Sequence, residues 1–447
     1  MAGNDGVVKG SSSEAQYKRQ EIVVALPHRD LVVEALAESG AKPTRVDESE
    51  DLGLALVSVL NATDSTNWLL AHTGYAHVQV PQSTGPDDLD PLLAALRGYF
   101  KGEYGGWTAT FGKNRFLGPV FGGNGNVIHT GGGGPEKLPS DERPPTRSGD
   151  AGKGVVVGVL DTAVAPNPWL IGGCVADPAD QLPEQGNYTA ADGHATFVAG
   201  VILAQAPAAT VRVRQVLPAG GKGADAWTVA NEIVRLGQSG IDILNLSLIC
   251  KTEDGAEPFI LKAAVNKVPP DVVIIAAAGN YGQSKDPALT GPSYPAALPE
   301  VTAVGASVSD KTDGTLAEFT PMDAPWIDIV APGTDIPSTY LKGHVIVGGK
   351  STEFDGWARW SGTSFSAALA SGAVAARMHP GNGAGNGNIP AVAALRGLMH
   401  DARRIQPNPL KSWTPRLLSV STSGIGRPAS AVPRTPPRRS LWNRLFG

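Results

Sequence analysis

The chain has 447 residues, 42% of them apolar, a formal net charge of -5 and two cysteines. That length exceeds what one hydrophobic core usually supports, so more than one module is expected. The small charge excludes a nucleic-acid role driven by bulk charge, and Cys174 and Cys250 are too few for a disulfide framework, so they read as free thiols in a reducing compartment.

Residues 1–20 are a polar leader with no apolar h-region, and no uncharged apolar stretch reaches membrane-spanning length. A cytoplasmic location is expected on that ground. EIVVALP (21–27) reads as a strand, HRDLVVEALAESG (28–40) as a helix stopped by glycine, LGLALVSVL (52–60) as a second strand and DPLLAALRGYF (90–100) as a further helix. Together they predict a small α/β module over 21–120. GGNGN (122–126), GGGG (131–134) and the proline-rich PSDERPPTRSGD (139–150) predict a flexible linker over 121–150.

From 151 to 405 apolar runs alternate with helix-like segments, which predicts an α/β domain: a doubly wound, mostly parallel sheet with helices on both faces. VVVGVL (155–160), VRVRQVL (211–217), IDILNLSLI (241–249), VVIIAAAG (272–279), VTAVGAS (301–307) and IDIVAPG (327–333) read as strands. His194 to Ala204, Asp225 to Gln238, Glu257 to Lys267 and Ser364 to Met378 read as helices, and 344–349 with 357–360 as a hairpin. A helix over 389–404 closes this domain after the glycine-rich 381–388. Residues 406–447 are rich in proline, serine and arginine and read as disordered; a sharper alternative docks Trp442, Leu445 and Phe446 with nearby arginines on an acidic partner or a membrane surface.

Three short segments carry the chemistry. VVVGVLD ends an apolar run at Asp161, the carboxyl end of a buried parallel strand, where such sheets deliver functional side chains. DGHATFVAG starts a helix at His194, and SGTSFSAALA places Ser364 at a turn of small residues. An alcohol is a weak nucleophile at neutral pH and needs a base, for which histidine has the closest pKa; a carboxylate on its other nitrogen fixes the tautomer. Ser364, His194 and Asp161 fill those roles. VVIIAAAGN ends in Asn280, whose amide is placed to donate to an oxyanion together with the Ser364 backbone N–H. Taken singly, Asp161 is an ordinary turn residue, His194 a helix start and Ser364 a helix cap; their joint occurrence favours catalysis.

The order Asp, His, Ser with these blocks resembles the subtilisin-like serine peptidases, the subtilase or peptidase S8 family, over roughly residues 150 to 380. NLSLIC (245–250), SYPAALPEVTAVGAS (293–307) and IVAPG (329–333) add to the resemblance. It implies a hydrolase: a serine endopeptidase working on peptide or protein substrates through an acyl-enzyme. It also implies that Ser247, Leu248, Ile249 and Cys250 line the cleft as an edge strand, and that they wall the primary specificity pocket with Ala277, Ala278 and Gly279. Departures mark a divergent branch. Ala195 and Phe197 stand where the family usually has glycine and a second histidine, Phe365 to Leu369 replace Met-Ala-x-Pro-His, and Ile249 and Cys250 replace a glycine pair, bulkier side chains that are expected to narrow the pocket.

Subtilases commonly carry an amino-terminal propeptide of β-α-β type. Residues 15–120 are therefore either an inhibitory prosegment removed within the linker or a permanent recognition module, and the second is favoured because a cytoplasmic enzyme gains from a fixed specificity device. Two rival functions remain: a catalytically silent scaffold that holds an extended peptide by strand addition, and an esterase on the same site. No cofactor is expected. No zinc-type or EF-hand spacing is present, and a structural calcium site built from loop carbonyls is not readable from sequence.

Overall fold

The structure, a computed structural model, describes residues 7–9, 16–75, 77–83, 88–119, 133–183, 186–252, 254–379, 389–405 and 415–418. The amino-terminal module comprises β1 (Val7–Lys9), β2 (Gln16–Ala25), α1 (Arg29–Glu38), β3 (Pro43–Ser49), β4 (Leu54–Val59), α2 (Ala62–His72), α3 (Leu89–Glu103) and β5 (Phe111–Pro119). Its strands run antiparallel in the order β5-β2-β4-β3, with β1 beside β2. Side chains of a strand alternate between faces, and here both faces are covered. Ile22 and Val24 join Val57, Leu69, Leu96 and Phe100 in a core under the module's helices, whereas Val23, Leu54 and Leu56 pack into a cluster shared with the larger domain. That double burial is why EIVVA reads as an unbroken apolar run.

After the module, β6 (Glu136–Lys137) precedes the larger domain, whose elements are β7 (Val156–Asp161), β8 (Cys174–Ala176), β9 (Tyr188–Thr189), α4 (His194–Gln205), β10 (Thr210–Gln215), β11 (Ala224–Asp225), α5 (Ala226–Gly237), β12 (Ile243–Leu246) and β13 (Leu248–Ile249). Next come α6 (Phe259–Val265), β14 (Val273–Ala277), a short α7 (Pro287–Thr290), β15 (Thr302–Ser307), β16 (Ile329–Pro332), β17 (Ile336–Val347), β18 (Lys350–Trp360), α8 (Thr363–Met378), α9 (Ala391–Asp401), β19 (Arg403–Arg404) and β20 (Arg416–Leu417). Nine strands form one sheet in the order β19-β20-β16-β15-β14-β12-β7-β10-β8, parallel throughout except between β19 and β20. This is the doubly wound α/β architecture expected from the alternation of runs.

Two helices run through its centre. His194 to Leu203 of α4 are all buried, as are fourteen positions of α8, the pattern of helices with no solvent face. They meet closely because α8 is mostly Ala, Ser and Gly: a Cβ on Gly372 would stand 2.7 Å from the Ile202 carbonyl oxygen and from Gln205 Cβ. β17 and β18 form the expected hairpin, longer than the apolar signal suggested, turning at Gly348 and Gly349 with φ of 55° and 79°, left-handed values that suit glycine.

Four expectations are corrected. IDILNLSLI is not one strand: β12 lies in the parallel sheet, and beyond Ser247 the chain leaves it, so β13 pairs instead with β5 of the module. The expected helix 257–267 is the shorter α6, because Pro258 takes the cap position. Residues 133–150 are not a free linker. The Arg147 guanidinium donates to the carbonyls of Trp169, Ile171 and Pro207, the Trp169 indole donates to the Pro145 carbonyl at 2.9 Å, and Leu138 is buried. Lastly, part of the expected disordered tail, Arg416–Leu417, adds a strand to the main sheet. Residues 122–126 and 381–388 and the tail side chains Trp442, Leu445 and Phe446 lie outside the described residues.

Neither cysteine is in a disulfide. Burial pushes the Cys174 thiol up to about 12, against a weaker lowering by the Arg147 charge. Alkylation needs the thiolate, so the native chain at pH 8 is expected to leave Cys174 unmodified by iodoacetamide, with modification appearing on denaturation; mass mapping of treated native protein checks this.

Candidate active site

Asp161 is the last residue of β7, and the next turn clamps the start of α4. Thr162 N–H donates back to Asp161 Oδ1 at 2.7 Å, Ala195 N–H donates to Thr162 Oγ1, and Ala165 N–H donates to Thr196 Oγ1 at 2.8 Å. His194 opens α4 behind a turn closed by a reciprocal capping box between Thr189 and Asp192. These restraints put the imidazole Nδ1 at 2.8 Å from both carboxylate oxygens of Asp161, with both side chains buried. A carboxylate can only accept, so Nδ1 carries the proton. Gly193 is fixed by sterics, since a Cβ there would come within 2.2 Å of the Tyr340 ring.

Ser364 is the second residue of α8, so its N–H is one of the donors that a helix start leaves outside the helical ladder. Its hydroxyl oxygen is buried and makes no hydrogen bond within the described residues; the bond to His194 is not formed here. Bonds of this kind are often long in unliganded enzymes and tighten around substrate. Thr363 joins the start of α8 to Asn280: its backbone N–H and its hydroxyl both donate to Asn280 Oδ1 at 3.0 Å, while its Oγ1 accepts from Gly279 N–H at 3.1 Å. Because a backbone N–H cannot accept, the amide atom facing it must be the oxygen. Asn280 Nδ2 is thereby turned away, 3.3 Å from where a Cβ on Gly362 would stand.

The edge-strand residues fall on two sides. Leu248 and Ile249 form β13 and pair antiparallel with Pro119 and Gly118, while Ala224 and Asp225 of β11 pair antiparallel with Leu117 and Phe116. Thus the end of β5 pairs with two strands of the larger domain. Ser247 turns inward, accepting from Asn245 Nδ2 at 3.1 Å; Asn245 Oδ1 in turn accepts from Ser371 of α8 at 3.0 Å. Of the three expected pocket residues, Ala277 packs in the main core and Ala278 in a small cluster with Ile327 and Val330. Gly279, with φ of 98°, lies beside Ser293 and Ile249: a Cβ there would stand 3.0 Å from Ser293 Oγ and 3.8 Å from Ile249 Cδ1.

Residues 152–399 match the model of the subtilase family. The chain belongs to that family. Subtilisin BL of Lederbergia lenta is 32% identical over 203 residues, covering 43% of this chain and 68% of that protein; subtilisin NAT of Bacillus subtilis subsp. natto is 33% identical over 208 residues, covering 44% and 51%. Fervidolysin from Fervidobacterium pennivorans, described as a keratinolytic enzyme related to subtilisin, aligns over 90% of this chain and 63% of its own with a TM-score of 0.54 at 17% identity, which supports the fold. Membership of the family makes this subtilase a serine-type peptidase of the hydrolase class by homology. Among the described residues no helix is long and apolar enough to cross a membrane, and no group of three or more His, Cys, Asp or Glu is placed to hold a metal ion.

Several positioning residues were not anticipated. Thr363 sits inside the GTS block, and Asn245 and Ser371 are the polar exceptions in otherwise apolar segments; a buried polar residue in such a run implies a partner. Asn280→Ala is expected to lower kcat by about a hundredfold to a thousandfold with little change in KM, a magnitude taken from a subtilisin and not from this geometry. Steady-state kinetics on a peptide substrate measure it.

Proposed function

We propose that this subtilase is an endopeptidase using Asp161, His194 and Ser364 through an acyl-enzyme. The observation that carries this reading is the buried imidazole pinned at Nδ1 by Asp161, beside the helix that starts at Thr363 and Ser364. Ser364 Oγ attacks the scissile carbonyl carbon and passes its proton to His194 Nε2. The carbonyl electron pair moves to oxygen, where Asn280 Nδ2 and Ser364 N–H donate to it. Collapse breaks the C–N bond, and His194 returns the proton to the leaving amine. Water then attacks the acyl-enzyme by the same steps in reverse order, releasing acid and serine.

The backbone pairing of β5 with β11 and β13 is the arrangement an extended substrate takes by strand addition. Residues 16–119 therefore act as a substrate-like block of the acyl side of the cleft. Both fates of the module raised by the sequence, removal or retention, are compatible with a block, and they differ in mass. A fluorophosphonate probe and intact-mass measurement test the two parts together. Labelling that disappears in Ser364→Ala supports the triad, and absence of labelling in every preparation counts against it. A wild-type chain cut between module and catalytic domain, with Ser364→Ala uncut, makes the module a prosegment; full-length chains in both make it permanent.

A further inference from the structure

Two aromatic rings lie against the imidazole and a third backs them. Phe365 lies 5.6 Å from the His194 ring, Trp360 lies 5.8 Å away at 90°, and Phe197 packs on both, 4.4 Å from Phe365 and 5.8 Å from Trp360. All three are buried. The Asp161 contacts hold one nitrogen and leave the ring able to swing about that point; the aromatic contacts oppose the swing.

Trp360 is also tied outward. Its indole N–H donates to the Gly133 carbonyl at 3.0 Å, at the start of a segment docked along β18. Within that segment Glu136 and Lys137 pair with Arg359 and Ala358, Leu138 is 4% exposed, Glu142 pairs with Arg359, and Arg143 pairs with Asp355. Strand pairing, a buried leucine and ion pairs along one stretch have no evident purpose if residues 133–143 only connect two domains.

We propose that Trp360 is a positioning residue for His194, and that the docked segment 133–143 sets it. The segment holds the indole by one hydrogen bond, the indole holds the imidazole by its ring, and the catalytic base inherits its orientation from a stretch of chain outside the family's matched region. The proposal rests on His194 being the catalytic base.

The test uses the full chain carrying Trp360→Phe, Trp360→Leu, Leu138→Asp, which puts a charge in the segment's buried contact, and the double variant Trp360→Phe with Leu138→Asp. A gentler undocking variant, Glu142→Ala with Arg143→Ala, covers the case in which Leu138→Asp does not fold. Trp360→Leu is expected to lower kcat by about tenfold to a hundredfold, the range for a small misplacement of a reacting group, with KM little changed. Trp360→Phe keeps a ring against His194 but loses the Gly133 bond, and is expected to give an intermediate kcat, clearly below wild type and above Trp360→Leu. Undocking reproduces the Trp360→Phe effect, and the double variant is no worse than either single one, as expected of residues acting in series. Wild-type kcat in both undocked variants, or multiplicative losses in the double variant, overturns the proposal. If the wild-type chain neither cleaves peptide nor takes the fluorophosphonate, the triad reading is what fails. The Nδ1–H proton resonance of His194 then still decides this one: it should shift or broaden in Trp360→Leu and on undocking, and an unchanged resonance overturns it.

Discussion

Ser364→Ala is expected to leave a folded chain whose kcat is lower by about a millionfold, a loss established for removing the nucleophile from a subtilisin and borrowed here for scale. The structural cost is small because the hydroxyl makes no hydrogen bond within the described residues, so alanine removes no bond and leaves α8 with its Thr363 anchor to Asn280. Asp161→Asn should cost about 10⁴-fold, since an amide cannot hold the required tautomer as a carboxylate does. The decisive comparison is of kcat alongside thermal melting: both variants should melt near the wild type while losing turnover. A Ser364→Ala chain that retains wild-type turnover on a peptide would remove Ser364 from the mechanism.

Leu117→Asp is expected to raise the initial rate of cleavage of an added peptide by about tenfold to a hundredfold. Leu117 is fully buried and packs in the cluster that includes Leu248 and Ala224, the residues of the two strands that grip β5. Burial of a leucine side chain contributes about 1.5–3 kcal/mol, and a charge placed there opposes docking further. The module's own core, around Leu69, Leu96 and Phe100, does not include Leu117, so the module should stay folded while its end lifts from the cleft. Circular dichroism separates the outcomes. A faster enzyme with native helix content supports the block, and an unchanged rate with the end of β5 demonstrably released refutes it.

Much of the catalytic framework was legible because its determinants are local. Parallel strands buried on both faces have to be continuous apolar runs, and VVVGVL and VVIIAAAG end where Asp161 and Asn280 begin to matter. A helix buried on every side has to be apolar throughout, which marks α4, and a helix that touches its neighbour's backbone has to be small, which marks α8. The parts that were not legible owe their structure to partners distant in the chain. PTRVDES, too polar for a strand by pattern, is one because it pairs with β4 along its length. FGKNRFLGP carries two glycines and a proline, yet its first half belongs to the module's sheet and its second half pairs with strands of the larger domain. Helix α2 is obscure for a different reason: ATDSTNWLLAH opens with residues that favour caps and turns. Residues 133–150 looked unstructured from their prolines, but their order comes from Arg147, Leu138 and two tryptophans that only the folded chain assembles. The site showed the same division, with Asp161, His194, Ser364 and Asn280 visible as residue types in order, and Thr363, Asn245, Ser371 and Trp360 visible only through the groups they touch.

Because β5 belongs to both halves of the molecule, Asn114 within it serves two masters. Fully buried, it accepts from the Trp227 N–H at the start of α5 and donates to Glu21 of β2, so one side chain closes a helix of the peptidase and a sheet of the module. Drawing β5 away would break the Trp227 bond at the start of α5, while Asp225 would still accept from the Thr228 N–H and cap that helix. A substitution at Asn114 that loosens β5 would therefore also remove a hydrogen bond from the first turn of α5.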